Sequence, residues 1–209
     1  IPLIGFCGSP WTLAAYSIEG RSSKDFKKTL NFLLSNQEDV HNLLTKYTDA
    51  CFLYLRRQVQ SGADVIQIFD SWANLLTKEG LIEYSFNYIN ALISALKLDP
   101  VTKNIPVIVF ARNPKCNIEG LINTSADCIS LFWSMNDLNF ELAKNKVAIQ
   151  GNLDPKILLE SDEIIKRETY KILEKFEKYP GYIFNLGHGI TPDINPDKIK
   201  YLTNIVREY

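Results

Sequence analysis

Closely spaced cysteines are missing from this chain. Cys7, Cys51, Cys116 and Cys128 are scattered without the short pairing of a zinc knuckle or a redox dithiol, so reduced and mostly buried thiols are expected. Histidine is scarcer still. Neither His41 nor His188 has a cysteine within a few residues, which argues against a zinc site, and no metal is expected. Basic charge is not concentrated either: the formal net charge is -1, and Lys24, Lys27 and Lys28 alternate with apolar residues as on the wet face of a helix. Nucleic acid and anionic membrane are therefore not expected as partners. No apolar run reaches membrane-spanning length and no charged leader precedes an apolar stretch, which points to the cytoplasm. The segment Gly5-Phe6-Cys7-Gly8 lacks the G-x-G-x-x-G spacing of a dinucleotide fold, and no phosphate-loop lysine pattern occurs. Ser71 lies in D-S-W-A and not on a G-x-S-x-G elbow, so Ser71, His188 and the aspartates do not signal a hydrolase triad. The chain also opens on Ile1-Pro2-Leu3 without an initiator methionine, already inside an apolar run, as a fragment would.

What is present suffices for one substantial core. With 209 residues, 46% apolar and 22% charged, the chain reads as a single domain over 1–209. Its organising stretch is YIFNLGHGITPD, Tyr182 to Asp193. Tyr182, Ile183, Phe184 and Leu186 suit a strand covered on both faces. Gly187 and Gly189 let the backbone leave sharply and a ligand approach, with His188 between them. Asp193 or Asn195 then caps a helix that has Pro196 in its first turn and an amphipathic run from Lys198 to Val206.

Strand patterns recur at Ile1 to Phe6, Asp64 to Asp70, Pro106 to Ala111, Asp127 to Trp133, Lys146 to Gly151 and Gly181 to Gly187. Helical spacing separates them: Thr12 to Ile18 stopped by Gly20, Asp25 to Leu34, Gln37 to Gln60 with Val40, Leu43, Leu44, Tyr47, Cys51, Leu55 and Val59 on one face, and Leu75 to Leu98. Such alternation demands parallel strands joined by crossovers, an α/β class. An α/β barrel needs eight βα units and about 250 residues, so six units in this chain fall two short. At the carboxyl end of its strand, His188 takes the position of the catalytic rim in such a barrel.

Four stretches together, PLIGFCGSPWTLAAYSIEG, IQIFDSWA, QGNLDP and FNLGHGI, resemble the uroporphyrinogen decarboxylase family, and they run from Pro2 to Ile190. The resemblance implies an eight-stranded (β/α)8 barrel of TIM type with its cleft at the strand carboxyl ends. About six of the eight units are present. An R-Q-A-G-R motif and an aspartate-bearing strand, which precede the PLIGF segment in the family, do not occur here. The implied activity is removal of the four acetate carboxyls of uroporphyrinogen III, giving coproporphyrinogen III in haem biosynthesis. No cofactor is implied, and the complete enzyme is expected to be a homodimer.

Residue by residue, His188 matches the family histidine that hydrogen-bonds a substrate carboxylate. Tyr16 reads from spacing alone as a core residue with its hydroxyl at the water edge, whereas the resemblance implies that it reaches toward a substrate carboxylate. Ser71 is equally a helix cap or a ligand contact from sequence, and the resemblance implies a substrate contact. Phe6 and Phe69 are implied as apolar walls for the macrocycle. Asp154, just before Pro155, is a cap by position, and Arg112 is a rim cation or half of a surface ion pair. Two departures concern the rim: Phe132 stands where the family has an aspartate before tryptophan, and Arg112-Asn113-Pro114 replaces a lysine-containing turn. As the resemblance implies, the substrate is its own electron sink, because protonating a pyrrole carbon makes a cation conjugated to the acetate. The carboxylate that stabilises that cation belongs to the absent aspartate-bearing strand. No catalytic group proper is therefore assigned within this chain, and the isolated chain is expected to be inactive. Two alternatives stand beside this: an incomplete barrel that binds a tetrapyrrole or a partner, and a corrinoid-linked methyltransferase.

Overall fold

Ser9, directly after the first strand, caps the helix that follows it. The computed structural model describes residues 1–21, 23, 25–112, 118–135 and 142–209. The sequence readings at Lys24, Asn113, Pro114 and Cys116 lie outside these residues. The chain divides into two units, Ile1–Ile129 and Ser130–Tyr209.

In the first unit, β1 (Ile4–Gly8) hands over at Ser9 to α1 (Pro10–Glu19). The Ser9 side chain accepts the Thr12 N–H, Pro10 occupies the first turn where its missing donor costs nothing, and Gly20 ends the helix at φ 80. α2 (Lys27–Ser35) follows, and then α3 (Gln37–Gln60), whose bounds are those expected from the apolar spacing. Val40, Leu44, Cys51 and Leu55 form its buried stripe. Burying each leucine contributes about 1.5–3 kcal/mol, which is why this stripe and not intrinsic propensity holds the helix.

β2 (Val65–Asp70) pairs in parallel with β1, Gly8 lying opposite Phe69. β3 (Val107–Ala111) pairs in parallel with β2, Phe69 opposite Phe110. The expected helix from Leu75 to Leu98 is broken. A 3₁₀ turn (Ala73–Leu75) ends in extended backbone at Leu76, and Thr77 caps a new start by accepting the Gly80 N–H over 3.1 Å. The short α4 (Lys78–Gly80) then passes into a π-helical turn, Leu81–Phe86, before α5 (Asn87–Leu98). Tyr84, Ser85 and Phe86 of this turn are all buried. α6 (Ile118–Ile122) leads toward β4 (Cys128–Ser130), within which the chain passes from the first unit to the second.

The second unit carries β5 (Ala148–Gln150), a 3₁₀ turn (Pro155–Leu159) that Asp154 caps as expected, α7 (Asp162–Phe176), β6 (Tyr182–Ile183) and α8 (Pro196–Glu208). Asn195 provides the cap of α8, accepting the Asp197 N–H, with Pro196 first in the helix. β5 and β6 are parallel, Ile149 opposite Tyr182. Leu153, Leu158, Ile165, Ile194, Leu202 and Ile205 form the core of this unit.

Three strand expectations are corrected. The strand predicted from Gly181 to Gly187 is regular only over Tyr182–Ile183, with one further bridge at Leu186, and it is not covered on both faces, since Ile183 is 45% exposed. The strand predicted as a buried run from Ile1 to Phe6 lies at Ile4–Gly8. It alternates instead: Gly5 and Cys7 are buried while Ile4 and Phe6 face out. A continuous apolar run fixes neither register nor the number of covered faces, because period 2 is invisible in it. The strand predicted from Asp127 to Trp133 is regular only over Cys128–Ser130; Leu131 N–H still donates to Gln150 O, but the Phe132 carbonyl accepts from the Asn152 side-chain amide.

Each unit thus contributes parallel strands connected through helices. The chain is α/β, of (β/α)8 TIM-barrel type, and carries six strands among the described residues.

Candidate functional site

At the carboxyl ends of β1 and β2 the first unit builds a buried polar corner around Asp70, which is fully inaccessible. Ser9 Oγ and Thr12 Oγ1 both donate to Asp70 Oδ1 over 2.8 Å, and Ser85 Oγ from the π-helical turn donates to Oδ2. Both α1 hydroxyls also accept a backbone N–H, Ser9 from Thr12 (3.0 Å) and Thr12 from Trp72 (3.3 Å), so their own protons remain to point at the carboxylate. Burial pushes the Asp70 carboxyl above its usual range, and the three hydroxyl donors pull it only part of the way back. Around this corner Ser9 N–H donates to Phe69 O (2.8 Å), Arg112 N–H to Asp70 O (3.0 Å) and Trp11 Nε1 to Trp72 O (3.0 Å).

The sequence-predicted residues of this unit surround the corner. Tyr16 lies one turn beyond Thr12 on α1 and is 40% exposed. Its ring meets Trp72 edge-on at 5.8 Å and Phe26 at 6.0 Å. Ser71, half-buried, stands between Asp70 and Trp72. Its hydroxyl is not a helix cap, since Thr77 performs that role. Phe6 is 60% exposed and meets Phe69 edge-on at 5.8 Å, while Phe69 in turn tilts against Phe110 at 5.9 Å. Three rings from three neighbouring strands thus form an aromatic row that is open at Phe6.

His188 stands in the second unit, exposed, beyond β6. Three segments run side by side there: Leu131 N–H donates to Gln150 O, Gly151 N–H to Ile183 O, Leu153 N–H to Asn185 O and Gly187 N–H to Leu153 O. Gly187 is a packing requirement, because a Cβ there would lie 2.4 Å from Trp133 N. Gly189 is different, since nothing comes within 4 Å of its missing Cβ. The glycine before the histidine therefore seats it against Trp133, and the imidazole meets the Phe132 ring edge-on at 5.9 Å. The His188 Nδ1 lies 3.3 Å from Gly189 O, an acceptor, so in this contact Nδ1 is the donor.

Sequence reasoning missed the Asp70 web and the Trp72 ring. Asp70 was visible only as an acid at a strand end, and its three hydroxyl partners lie 61, 58 and 15 positions away. Among the described residues no group of three or more His, Cys, Asp or Glu is placed to hold a metal ion, and no helix is long and apolar enough to cross a membrane.

Parallel strands alternating with helices, with polar and aromatic side chains at their carboxyl ends, define an α/β barrel-type chain. The same architecture recurs in a methyltransferase from Methanosarcina mazei, which superposes with a TM-score of 0.75 over 100% of this chain and 59% of that one at 19% identity. The family model for uroporphyrinogen decarboxylase matches residues 1–209, and the chain belongs to that family. It is 41% identical to the uroporphyrinogen decarboxylase of Ruthia magnifica subsp. Calyptogena magnifica, and 40% identical to those of Alcanivorax borkumensis and Aquifex aeolicus. These matches cover 100% of this chain but 60%, 59% and 61% of the relatives, so the chain spans about three fifths of their length.

Proposed function

We propose that the chain is the substrate-orienting part of a uroporphyrinogen decarboxylase, a carboxy-lyase that converts uroporphyrinogen III to coproporphyrinogen III without a cofactor. The observation that carries this reading is the family match across all 209 residues. Tyr16, Ser71 and His188 each orient a peripheral carboxylate, and Phe6 and Phe69 offer apolar wall to the macrocycle. Tyr16 packs edge-on against Trp72, the residue after Ser71, which supports placing Tyr16 and Ser71 in one site. The complete enzyme acts as a cytoplasmic homodimer in this reading.

The protein's part in the chemistry is to hold the ring and to steady the cation formed when a pyrrole carbon takes a proton. Loss of carbon dioxide from the adjacent acetate then returns the electron pair to the ring. Residues of this chain act on the periphery, and the group facing the pyrrole nitrogens is assigned to the R-Q-A-G-R and aspartate segments, which this sequence does not contain. The chain alone is therefore inactive. The test is anaerobic incubation of uroporphyrinogen III with the purified chain and, in parallel, with the chain joined to the amino-terminal portion of the Ruthia relative. Coproporphyrinogen formation only by the joined protein supports the reading. Turnover by the chain alone overturns the division of roles, and no turnover by a folded joined protein overturns the activity.

A further inference from the structure

We propose that Asp70 is a positioning residue that sets where Tyr16 and Ser71 present their hydroxyls, acting through Thr12 and Trp72; this rests on the substrate-contact reading of Tyr16 and Ser71. Asp70 is the residue before Ser71 and is fully buried, so it cannot touch a ligand itself. What it touches are the two hydroxyls that begin α1, Ser9 and Thr12, both 2.8 Å from the same oxygen.

Thr12 is the link. It gives its proton to Asp70 and takes the Trp72 N–H at 3.3 Å, so the first turn of α1 is fixed both to the strand end and to the residue after Ser71. Trp11 adds a second clamp, its indole N–H donating to Trp72 O over 3.0 Å. Ser71 is thereby held between an anchored carboxylate and Trp72, whose backbone N–H and C=O are both hydrogen-bonded. Tyr16 follows Thr12 by one helical turn on the same face, and its ring rests edge-on against Trp72 at 5.8 Å. The π-helical turn supplies the third hydroxyl, Ser85, on the opposite carboxylate oxygen, so the web joins β1, β2, α1 and the start of α5 at one atom group.

A carboxylate suits this position better than an apolar residue because three donors must be satisfied by one side chain. An amide of the same shape nearly suffices: its oxygen can accept from Ser9 and Thr12, while Ser85 reverses to accept from its N–H. That difference separates positioning from a charge-based role.

The experiment uses the joined protein of the preceding section, assayed with uroporphyrinogen III. Measured are kcat, KM and melting temperature for Thr12→Val, Asp70→Ala, Asp70→Asn, Ser71→Ala and Tyr16→Phe, and for the Thr12→Val/Tyr16→Phe pair. Expected is a rise in KM of about threefold or more in Thr12→Val with kcat held within about twofold, a fraction of the loss that removing a charged group's hydrogen bond produces. Asp70→Asn should keep KM near that of the parent and Asp70→Ala should not. In the Tyr16→Phe background the Thr12→Val effect on KM should shrink, since the two act along one path. Fully additive effects, or a Thr12→Val variant that loses melting temperature but keeps KM, would overturn the proposal while leaving the substrate reading intact. Tyr16→Phe and Ser71→Ala variants both indistinguishable from the parent would instead remove that reading, and the proposal with it. Should Asp70→Ala fail to fold, Thr12→Val and Asp70→Asn decide the matter.

Discussion

The Thr12 hydroxyl donates to Asp70 Oδ1 over 2.8 Å, although the two residues lie 58 positions apart, one on the first turn of α1 and the other at the last position of β2. This bond ties a helix carrying one proposed substrate contact to the strand end carrying another. Asp70→Ala leaves the Ser9, Thr12 and Ser85 hydroxyls buried without their acceptor. At roughly 1–3 kcal/mol for each stranded group, partly relieved by rotation or entry of water, the loss of unfolding free energy should be about 3–5 kcal/mol. Urea unfolding measures it, and a loss below about 1 kcal/mol would mean the web carries little stability.

The pH dependence of the same corner has a definite sign. Because the folded-state pKa of Asp70 lies above the unfolded value of about 3.9, the native state holds the proton more tightly. The resulting stabilisation is fully present below the unfolded pKa and is lost as pH rises through the folded one. Unfolding free energy of the parent relative to Asp70→Asn should therefore be greatest at acid pH and should decline above about pH 4. A parent that gains on the amide variant as pH rises contradicts the balance of burial over hydroxyl donation.

Two glycines flanking one histidine should respond differently. Gly187→Ala brings a methyl against the Trp133 backbone, which cannot swing aside, and should cost about 3 kcal/mol, the upper part of the overpacking range. Gly189→Ala meets nothing and should stay within about 0.5 kcal/mol of the parent. Equal effects in denaturant unfolding would show that the Gly187 contact relaxes freely.

The thiols offer a chemical check. Burial pushes the Cys128 thiol up to about 12, while the Cys7 thiol donates to Cys51 and so is raised itself as it lowers its partner. All three are buried and free. In native protein at pH 8, iodoacetamide should label the Cys7 and Cys51 pair before Cys128, read by peptide mass. Labelling Cys128 first contradicts this ordering.

Much of the scaffold was legible because its signals are local. The stripe of Val40, Leu44, Cys51 and Leu55 at helical spacing gave α3 its bounds, and Gly20, Asp154 and the Asn195-Pro196 pair marked the ends of helices by chemistry that acts within one turn. Two things were not local. The run from Leu75 to Leu98 looked continuous because a π-helical turn changes which residues face inward without changing composition. Asp70 looked ordinary because its partners come from two segments remote from it in sequence, the start of α1 and the π-helical turn. Of the proposed site residues, His188 was legible from its flanking glycines and strand-end position, whereas Tyr16, Phe6 and Phe69 were named through resemblance, since their ring contacts depend on packing that periodicity does not report.

His188 gives the most direct test of the account, because it is the residue of the second unit to which an orienting contact with a substrate carboxylate is assigned. The measurement is kcat and KM for uroporphyrinogen III with His188→Asn in the chain joined to the amino-terminal portion of the Ruthia relative. As a carboxylate anchor, the histidine should contribute about 1.5–3 kcal/mol to binding, so KM should rise roughly tenfold to a hundredfold with kcat little changed. A collapse of kcat at saturating substrate, with KM unmoved, would instead place His188 in proton transfer and contradict the orienting role assigned to this chain.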